Sequence, residues 1–168
     1  DPTFGVGGQV FGSVDEIGVI SDAALLPDGS IVTMGSRFVD LDHSGIVLAK
    51  FDTHGVLDDS FGSGGVAFDV LPKPIQNYAP RGYVLTLHPD GDFVVAGSDG
   101  MNTLLIRYDA SGARDTTFAT NGIMHVYDGL IRGMSIDSYG RVVTTGDVSL
   151  NFGGGGYHLA RYTLNDIP

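Results

Sequence analysis

A short motif recurs three times in this sequence at one fixed spacing. It reads Asp-x-Ser/Thr-Phe, and its phenylalanines are Phe4, Phe61 and Phe118, so the period is 57 residues in both intervals. Self-similarity at such a period indicates an array of like supersecondary units, because one unit of this size cannot bury its apolar face alone. The chain is therefore constrained to fold by stacking three copies of one small unit.

Each repeat contains the signals of four short β-strands. Asp28-Gly29 and Asp90-Gly91 lie between apolar runs, which favours a hairpin with a tight primed turn in which glycine takes a positive φ. Strand a, before the turn, alternates apolar and small residues, whereas strand b, after it, is continuously apolar or Thr, which is typical of a strand covered on both faces. Strand c ends in a base and an aromatic residue, and strand d follows the phenylalanine motif. Four antiparallel strands form one blade of a β-propeller, so we predict an all-β fold of three blades.

The spacings within the repeats divide the connections into two kinds. The turn glycine and the glycine that ends strand b are 6 residues apart in every repeat, at 29 and 35, 91 and 97, and 140 and 146. From the motif phenylalanine to the turn glycine, by contrast, the counts are 25, 30 and 22. In a meandering blade the d–a and b–c loops lie at the same end, so we expect the length variation to collect on one face. Loops on a rigid scaffold carry recognition, and that face is the expected ligand site.

We expect a single domain over residues 1–168, with repeats at about 13–68, 69–126 and 127–168. Residues 1–12 are expected to form a strand d that completes the last blade and so covers two sheet edges. If position 168 is joined to position 1, Arg161 at the end of strand c stands eleven residues before Phe4, as in the internal repeats. Closed propellers have four to eight blades. Either two copies close a six-bladed ring, or the chain is part of a longer propeller.

The charge of the chain argues against nucleic acid as a partner. Twenty Asp and Glu stand against nine Lys and Arg, a formal net charge of −11, so a phosphate backbone would be repelled across most of the surface. There is no cysteine, which excludes disulfides and thiolate metal sites. No apolar run approaches the ~20 residues needed to span a bilayer. If the protein is exported, we expect its signal to lie outside this sequence.

Three ordered motifs give the chain a family resemblance. Leu-x-Pro-Asp-Gly, then Leu-Ala-Arg-Tyr, then Asp-x-Ser/Thr-Phe-Gly-x-Gly-Gly resemble the bacterial delta-60 repeat, which is assigned to β-propellers. The third repeat departs from that pattern, because Tyr139 replaces the turn Asp and residues 163–168 lack the usual Asp-Gly. The resemblance implies an exported or cell-surface bacterial propeller, and it brings no catalytic residues with it.

The candidate ligand-binding residues lie in the variable loops. Asp40, Asp42 and His43 offer two carboxylates and an imidazole in the first b–c loop, where calcium is conceivable although no cofactor is expected. Tyr78 and Arg81 belong to a Pro-stiffened insertion that presents an aromatic ring and a base. A rigid cover over the channel mouth is the alternative role of that insertion. The last candidate, in the second b–c loop, is Asn102.

Two other sets of recurring residues are expected to be structural. Asp1, Asp58 and Asp115 recur at one spacing, which suits hydrogen bonding to nearby amides in a turn. The bases that end strand c are expected to form blade-to-blade ion pairs or to cap carbonyl groups; they are Lys50, Arg107 and Arg161.

Three functions remain open on this sequence. The favoured one is a binding or scaffold module of an exported bacterial protein, which recognises a glycan or a protein partner through the variable face and has no enzymatic activity. The second is a structural, self-assembling repeat subunit. The third is a propeller hydrolase or lactonase, which would need acids from several blades to converge on the central channel, whereas strand a here carries mostly Ala, Leu, Thr, Ser and Met.

Overall fold

A computed structural model of the chain consists of three antiparallel β-sheets that follow one another along the sequence. It describes residues 1–13, 17–40, 44–71, 81–99, 102–126, 129–150 and 154–164. The first sheet contains β1 (Val19–Leu25), β2 (Ile31–Phe38), β3 (Ser44–Phe51) and β4 (Val66–Val70). The second contains β5 (Arg81–Leu87), β6 (Phe93–Ser98), β7 (Thr103–Tyr108) and β8 (Ile123–His125). The third contains β9 (Leu130–Ile136), β10 (Val142–Leu150) and β11 (Gly154–Tyr162).

Within every sheet the strands lie side by side in chain order, and each is antiparallel to its neighbour. This meander corresponds to strands a to d of one blade, and the innermost strands β1, β5 and β9 are adjacent in space. The predicted fold class, all-β with antiparallel propeller blades, is confirmed. No helix in the described ranges is long and apolar enough to cross a lipid bilayer.

The apolar run of strand b is covered on both faces, as its composition predicts. In β6, Phe93 and Val95 pack into a core shared with the first sheet, whereas the alternating Val94 and Ala96 pack into a core shared with the third. All four side chains are buried. A strand with one exposed face would need polar residues at every second position. The middle blade therefore holds its two neighbours by opposite faces of one sheet.

The hairpin between strands a and b differs from the predicted primed turn. The amide of Gly29 donates to the carbonyl of Leu26 (3.0 Å) and the amide of Leu26 donates to the carbonyl of Ser30 (2.8 Å), which makes a three-residue loop. Gly29 has φ +85°, but Asp28 is not among the described residues with positive φ. A two-residue primed turn would force Asp28 into the left-handed region, where an L-residue is strained. Its carboxylate accepts a hydrogen bond from the Ser30 amide instead (2.9 Å).

The motif phenylalanine Phe61 packs the first blade against the second. Phe61 is buried, meets the ring of Phe93 edge-on at 6.2 Å between centroids, and lies against Gly112 in the c–d turn of the second blade. The amide of Gly62 donates to the carbonyl of Ser111 in that same turn (3.2 Å). Gly112 has φ +86°, and a Cβ there would stand 2.5 Å from the Phe61 ring. The turn glycine is thus required twice, by its backbone conformation and by the ring that packs on it.

A polar contact adds to this junction between the first and second blades. The carboxylate of Asp69 on β4 accepts hydrogen bonds from the Tyr108 hydroxyl (2.8 Å) and from Nε of Arg114 (2.9 Å). Burial, followed by the Asp69 charge, raises the pKa of Tyr108 well above its ordinary value, so the phenol stays protonated and donates. The blade-to-blade ion pair observed here is therefore formed by Arg114 with Asp69, and Lys50 and Arg107 do not take part in it.

Residues 1–12 take the place of a strand d that precedes the first blade. The Gly5 amide donates to the His54 carbonyl (2.8 Å), and Phe4 and Val10 lie against the turn glycine Gly55. These contacts repeat, one period earlier, the junction between the first two blades. In the single chain residues 1–12 do not pair with β11, and the third sheet contains three described strands. The predicted completion of the last blade by residues 1–12 stays a prediction.

Alanine substitutions at two turn glycines test the junction. Gly91 and Gly112 both have positive φ, but a Cβ at Gly91 has no heavy atom within 4 Å. We expect Gly91→Ala to cost about 1–2 kcal/mol for the left-handed backbone alone. We expect Gly112→Ala to cost about 1–3 kcal/mol more, because the new methyl group overpacks the Phe61 pocket. Urea unfolding of both variants measures the difference; equal losses would show that the ring does not depend on this glycine.

Candidate functional site

The two ends of the blades differ in the contacts that their polar residues make. We call the end that carries the a–b and c–d turns the turn end, and the end that carries the d–a and b–c connections the loop end. The loop end includes the connections after β2, β4, β6, β8 and β10. The repeat spacings predict recognition at the loop end, and the contacts at the turn end show why the turns do not vary.

The recurring aspartates of the turn end hold turns, as predicted. Oδ1 of Asp58 accepts hydrogen bonds from the Ser60 amide (3.1 Å) and hydroxyl (2.5 Å), and its Oδ2 lies 2.9 Å from Nζ of Lys50. The Ser60 hydroxyl first, and then Lys50, lower the pKa of Asp58 to about 2. Asp1 and Asp115 make the same side-chain bonds to the Thr residues two positions on.

Two of the bases that end strand c, Lys50 and Arg107, form their ion pairs within one blade, so the predicted blade-to-blade pairing was wrong for these two. For Arg161 it stays a prediction. Arg107 lies within 2.6 Å of Asp90, 2.8 Å of Asp92 and 3.5 Å of Asp115, all from its own blade. The reason is that both turns of the blade lie beside the end of strand c: the a–b turn supplies Asp90 and Asp92, and the c–d turn supplies Asp115. At the turn end these cations are therefore neutralised by structural partners.

A β-bulge interrupts the innermost strand of every blade at the same position. The register shifts between Ile20 and Asp22, between Gly82 and Val84, and between Ile131 and Gly133. The bulged residues, which we call the bulge row, are Ser21, Tyr83 and Arg132. Each stands eight residues before its turn glycine, at 29, 91 and 140. Bulges re-aim side chains and are over-represented beside functional sites.

The bulge row combines different chemistry on one repeated backbone. Ser21 and Arg132 are exposed, and Tyr83 is half-buried. Nε of Arg132 lies 2.8 Å from Oδ2 of Asp147 on β10, and both side chains of that pair are exposed. Next to the bulge, Oδ2 of Asp22 accepts a hydrogen bond from the Leu85 amide (2.8 Å), which ties the first inner strand to the second. The bulge row therefore places a hydroxyl, a phenol and a guanidinium at the same backbone position of three strands.

Three of the candidate residues lie at the loop end within the described part of the chain. Asp40 is exposed just after β2, and Arg81 is exposed at the start of β5, two residues before Tyr83. The backbone amide of Asn102 and its Nδ2 donate to the Asp99 carboxylate at 2.7 and 3.1 Å, so Asn102 shapes its own loop. The other candidates, Asp42, His43 and Tyr78, lie outside the described residues.

Metal binding is not tested at the predicted position, because two of the three proposed ligands are outside the described residues. Elsewhere in the described ranges, no three His, Asp or Glu side chains are grouped so as to hold a metal ion. Calcium at Asp40, Asp42 and His43 stays a prediction.

The bulge row was missed by the sequence analysis. The alternation of residues in strand a predicts a regular strand. In a bulge, two residues of this strand lie opposite one residue of the neighbouring strand, and the alternation does not reveal this. The signal that could have found it is the alignment of the repeats, because Ser21, Tyr83 and Arg132 fall in one column with no shared side-chain chemistry. A column that varies within an otherwise repeated strand is typical of a surface position rather than of the core.

Exposed apolar groups also collect at the loop end. Phe38 and Val39, at the end of β2, and Val70, at the end of β4, are large and exposed. Nearby, the guanidinium of Arg37 lies over the Phe68 ring at 5.5 Å from its centroid. The loop end thus has aromatic, aliphatic and cationic groups within a protein of strongly negative net charge.

Comparison with known proteins agrees with the fold. A family described as "Domain of unknown function (DUF5122) beta-propeller" matches residues 87–118. This stretch runs from the end of strand a, through strands b and c, to the motif phenylalanine of the second blade. It supports a β-propeller family without specifying the delta-60 repeat. No curated protein matches the chain, and no solved structure does.

The lowered pKa of Asp58 predicts a pH dependence of stability. Because its pKa falls from 3.8 to about 2 on folding, its contribution is present above pH 4 and is lost as the pH falls from about 4 to about 2. We expect Asp58→Asn to lower the thermal midpoint at pH 7 and to make the loss between pH 4 and pH 2 shallower. Asp59→Asn, at the neighbouring exposed carboxyl, is the control and should keep the wild-type slope. Thermal melts across that range decide the matter, and an unchanged slope in Asp58→Asn would contradict the assignment.

Proposed function

We propose that this protein is a binding or scaffold module that recognises a glycan or a protein partner through its loop end. The observation that carries the proposal is the bulge row, in which one backbone irregularity is repeated in register while its side chains differ. A structural irregularity would be expected to keep one type of side chain in every blade. A constant frame with variable side chains is how rigid scaffolds carry recognition.

The chemistry of the bulge row favours a polar ligand with an apolar surface, such as a glycan. The Tyr83 ring offers an amphipathic surface with a hydroxyl at its tip. The Arg132–Asp147 pair offers donors and acceptors side by side, and Arg81 adds a cation two residues from the tyrosine. A few polar groups around an apolar surface are what orient a ligand in a binding site.

A protein partner is the second candidate, and a different observation favours it. Phe38 and Val39 form an exposed apolar pair at the end of β2. Exposed apolar groups rimmed by polar residues mark protein-binding surfaces. The two candidates predict different variants, because a protein partner would depend on Phe38 and a glycan on Tyr83.

We also propose that the module is not an enzyme. At the turn end, hydrogen bonds and ion pairs hold the pKa of Asp58 and of Asp137 at about 2, so both carboxyls are ionised at neutral pH and are poor proton donors. Beside the bulge row, Asp22 already accepts the Leu85 and Ala23 amides. A hydrolase or lactonase would need a carboxyl or imidazole directed at a substrate from these inner strands, and the bulge row has neither.

The setting of the module is a further part of the proposal. We propose that the module is part of an exported or cell-surface bacterial protein and needs no cofactor. The ground for this setting is the resemblance of the repeats to the delta-60 pattern. The fixed turn end suits such a scaffold, because it holds the blades together without taking part in binding.

Binding assays with matched variants test the loop end. We expect wild-type protein to bind on a glycan array, and Tyr83→Ala and Arg132→Ala each to weaken the strongest hit by about 10-fold or more, as hot-spot truncations do. Tyr139→Ala is the control, because Tyr139 is an exposed tyrosine at the turn end, 81% accessible, and should leave affinity unchanged.

The outcome separates the two candidates. Silence on the array together with a captured protein whose binding is lost in Phe38→Ala would replace the glycan by a protein partner. Equal losses in Tyr83→Ala and Tyr139→Ala, or turnover of a lactone or glycoside that Arg132→Ala abolishes, would overturn the proposed function.

A further inference from the structure

Asp22 joins the innermost strand of the first blade to the innermost strand of the second. Its Oδ2 accepts a hydrogen bond from the Leu85 amide (2.8 Å), and its Oδ1 accepts one from the Ala23 amide (2.8 Å). The bond to Leu85 connects β1 with β5, which belong to different sheets. The junction between the first two blades therefore contains a carboxylate bound to the inner edge of a sheet.

The direction of the Leu85 amide follows from the register of its sheet. The His88 amide donates to the Asp92 carbonyl (2.8 Å), which closes the a–b hairpin of the second blade. Bonded and non-bonded pairs alternate along an antiparallel ladder, so Leu85 and Val95 form a non-bonded pair. The Leu85 amide consequently points away from β6, toward the inner edge at which Asp22 meets it.

The amide of Met134 has the same direction in the third blade. Met134 stands six residues before its turn glycine, as Leu85 does in the second blade. The Asp137 amide donates to the Arg141 carbonyl (2.9 Å), and the same alternation makes Met134 and Thr144 a non-bonded pair. Among the described residues, nothing accepts a hydrogen bond from the Met134 amide. The inner edge of β9 thus offers a donor where the equivalent donor of β5 is already bonded.

The residue that corresponds to Asp22 at this second junction is a valine. Val84 stands seven residues before its turn glycine, as Asp22 does, and its side chain has no hydrogen-bond acceptor. Val84 packs against the core shared by the second and third blades. The acceptor that the first blade supplies from its own chain is therefore missing between the second blade and the third, and a ligand at the inner edge can supply it.

Two further donors precede Val84 on β5. They are Arg81, which is exposed, and Tyr83, which is half-buried. Neither side chain has a hydrogen bond or an ion pair to a described residue. Asp99, which follows the β6 residue opposite Arg81, accepts a hydrogen bond from the Asn102 amide (2.7 Å). A guanidinium and a phenol are thus available on the strand that carries Val84.

Arg81 lies on the face of β5 that is directed at the third blade. A Cβ at Gly82 would collide with the Met34 side chain of the first blade, so that position faces the first blade. Successive residues of a strand point to opposite faces, which turns Arg81 toward the third blade. At about 3.3 Å per residue, Arg81 lies about 10 Å along the strand from Val84, a distance that an arginine side chain and a carboxylate span together. Arg81 and the Met134 amide therefore belong to one junction.

The charge of the protein makes Arg81 a distinct position. In a chain of net charge −11, Lys50, Arg107 and Arg114 are each paired with aspartates of the fold. Arg81 has no such partner in the described part of the chain. A guanidinium is a donor only, and the group that matches it best is a carboxylate, which accepts two of its N–H bonds at once.

We propose that a carboxylate of the bound glycan occupies this junction, so that the ligand of the loop end is an acidic sugar such as a uronic acid. The carboxylate accepts a hydrogen bond from the Met134 amide, as the Asp22 carboxylate does from Leu85. The Arg81 guanidinium supplies the opposite charge, and the Tyr83 ring packs against the sugar. This inference rests on the glycan recognition proposed above and adds the chemical class of the glycan.

Paired glycans on an array test the class of ligand. The array carries oligosaccharides that contain uronic or sialic acids, each printed beside its methyl ester, which has the same sugar rings without the charge. We expect the wild-type protein to bind at least one acidic glycan about 10-fold or more tightly than its ester, because hydrogen bonds to charged groups contribute more than those to neutral groups. Calorimetry with that pair of glycans gives the two dissociation constants.

Arg81→Gln tests the opposite charge. We expect the affinity for the acidic glycan to fall about 10-fold and the affinity for its ester to stay unchanged, because only the acid pairs with the guanidinium. Arg161→Gln is the matched control, since Arg161 is exposed at the turn end and its loss changes the net charge by the same amount. It should bind both glycans as the wild type does.

Val84→Asp tests the position of the carboxylate. The new side chain stands where Asp22 stands in the first blade, so it should accept the Met134 amide and lower the affinity for the acidic glycan about 10-fold or more. Val84→Thr is the control, because it makes the same position polar without a charge and should keep the wild-type affinity. If Val84→Asp does not fold, NMR of the wild-type protein measures the same contact. The Met134 amide proton should then shift downfield on addition of the acidic glycan and not on addition of its ester.

The outcomes separate this inference from the proposed function. Equal affinity for acidic glycans and their esters, or binding of neutral glycans alone, overturns the carboxylate and leaves glycan recognition at the loop end standing. So does an equal loss in Arg81→Gln and Arg161→Gln, wild-type affinity in Val84→Asp, or a Met134 amide proton that does not shift. Absence of binding to every glycan overturns this inference together with the glycan candidate on which it rests.

Discussion

The structure depends on the burial of apolar blade faces against one another. A single four-stranded sheet whose strand b is apolar on both faces cannot be stable alone, and the middle blade satisfies this requirement by giving one face to each neighbour. The contact is made specific by Phe61, whose ring needs the space that Gly112 leaves in the next blade. Because this arrangement needs a fixed distance between motif and turn, the c–d connection cannot change length without displacing the ring.

This constraint explains the division between the two ends of the molecule. At the turn end, the carboxylates and bases are taken up by amides and by each other, and most of the pairs are formed within one blade. At the loop end the connection lengths vary, and the count from the motif phenylalanine to the turn glycine is 25, 30 and 22 in the three repeats. The bulges of the inner strands lie toward the loop end, where the backbone repeats and the side chains do not. In the proposed function, recognition lies at the loop end and the contacts that stabilise the blades lie at the turn end of the same strands.

Several features could be predicted from sequence because they depend on local spacing. The 57-residue period, the four strands of a blade and the turn role of the motif aspartates all follow from residues within one repeat. The predicted turn type was wrong because Asp28 does not have a left-handed backbone and its carboxylate accepts a hydrogen bond from the Ser30 amide. The Asp-Gly pair alone does not indicate this conformation. The predicted partners of Lys50 and Arg107 were wrong because the paths of the c–d and a–b turns decide which carboxylates come within reach of these bases.

By itself, the sequence determined the repeated unit, its strand order and the end of the blade at which the loops vary, since periodicity and turn residues act over a few positions. Only the tertiary structure decided which faces are covered, that the blade-to-blade ion pair belongs to Arg114, and that Ser21, Tyr83 and Arg132 stand on bulges of adjacent inner strands. Those features arise between segments far apart in the chain. Their physical cause is tertiary packing, which depends on which residues are close in space. Such contacts leave no local pattern in the sequence.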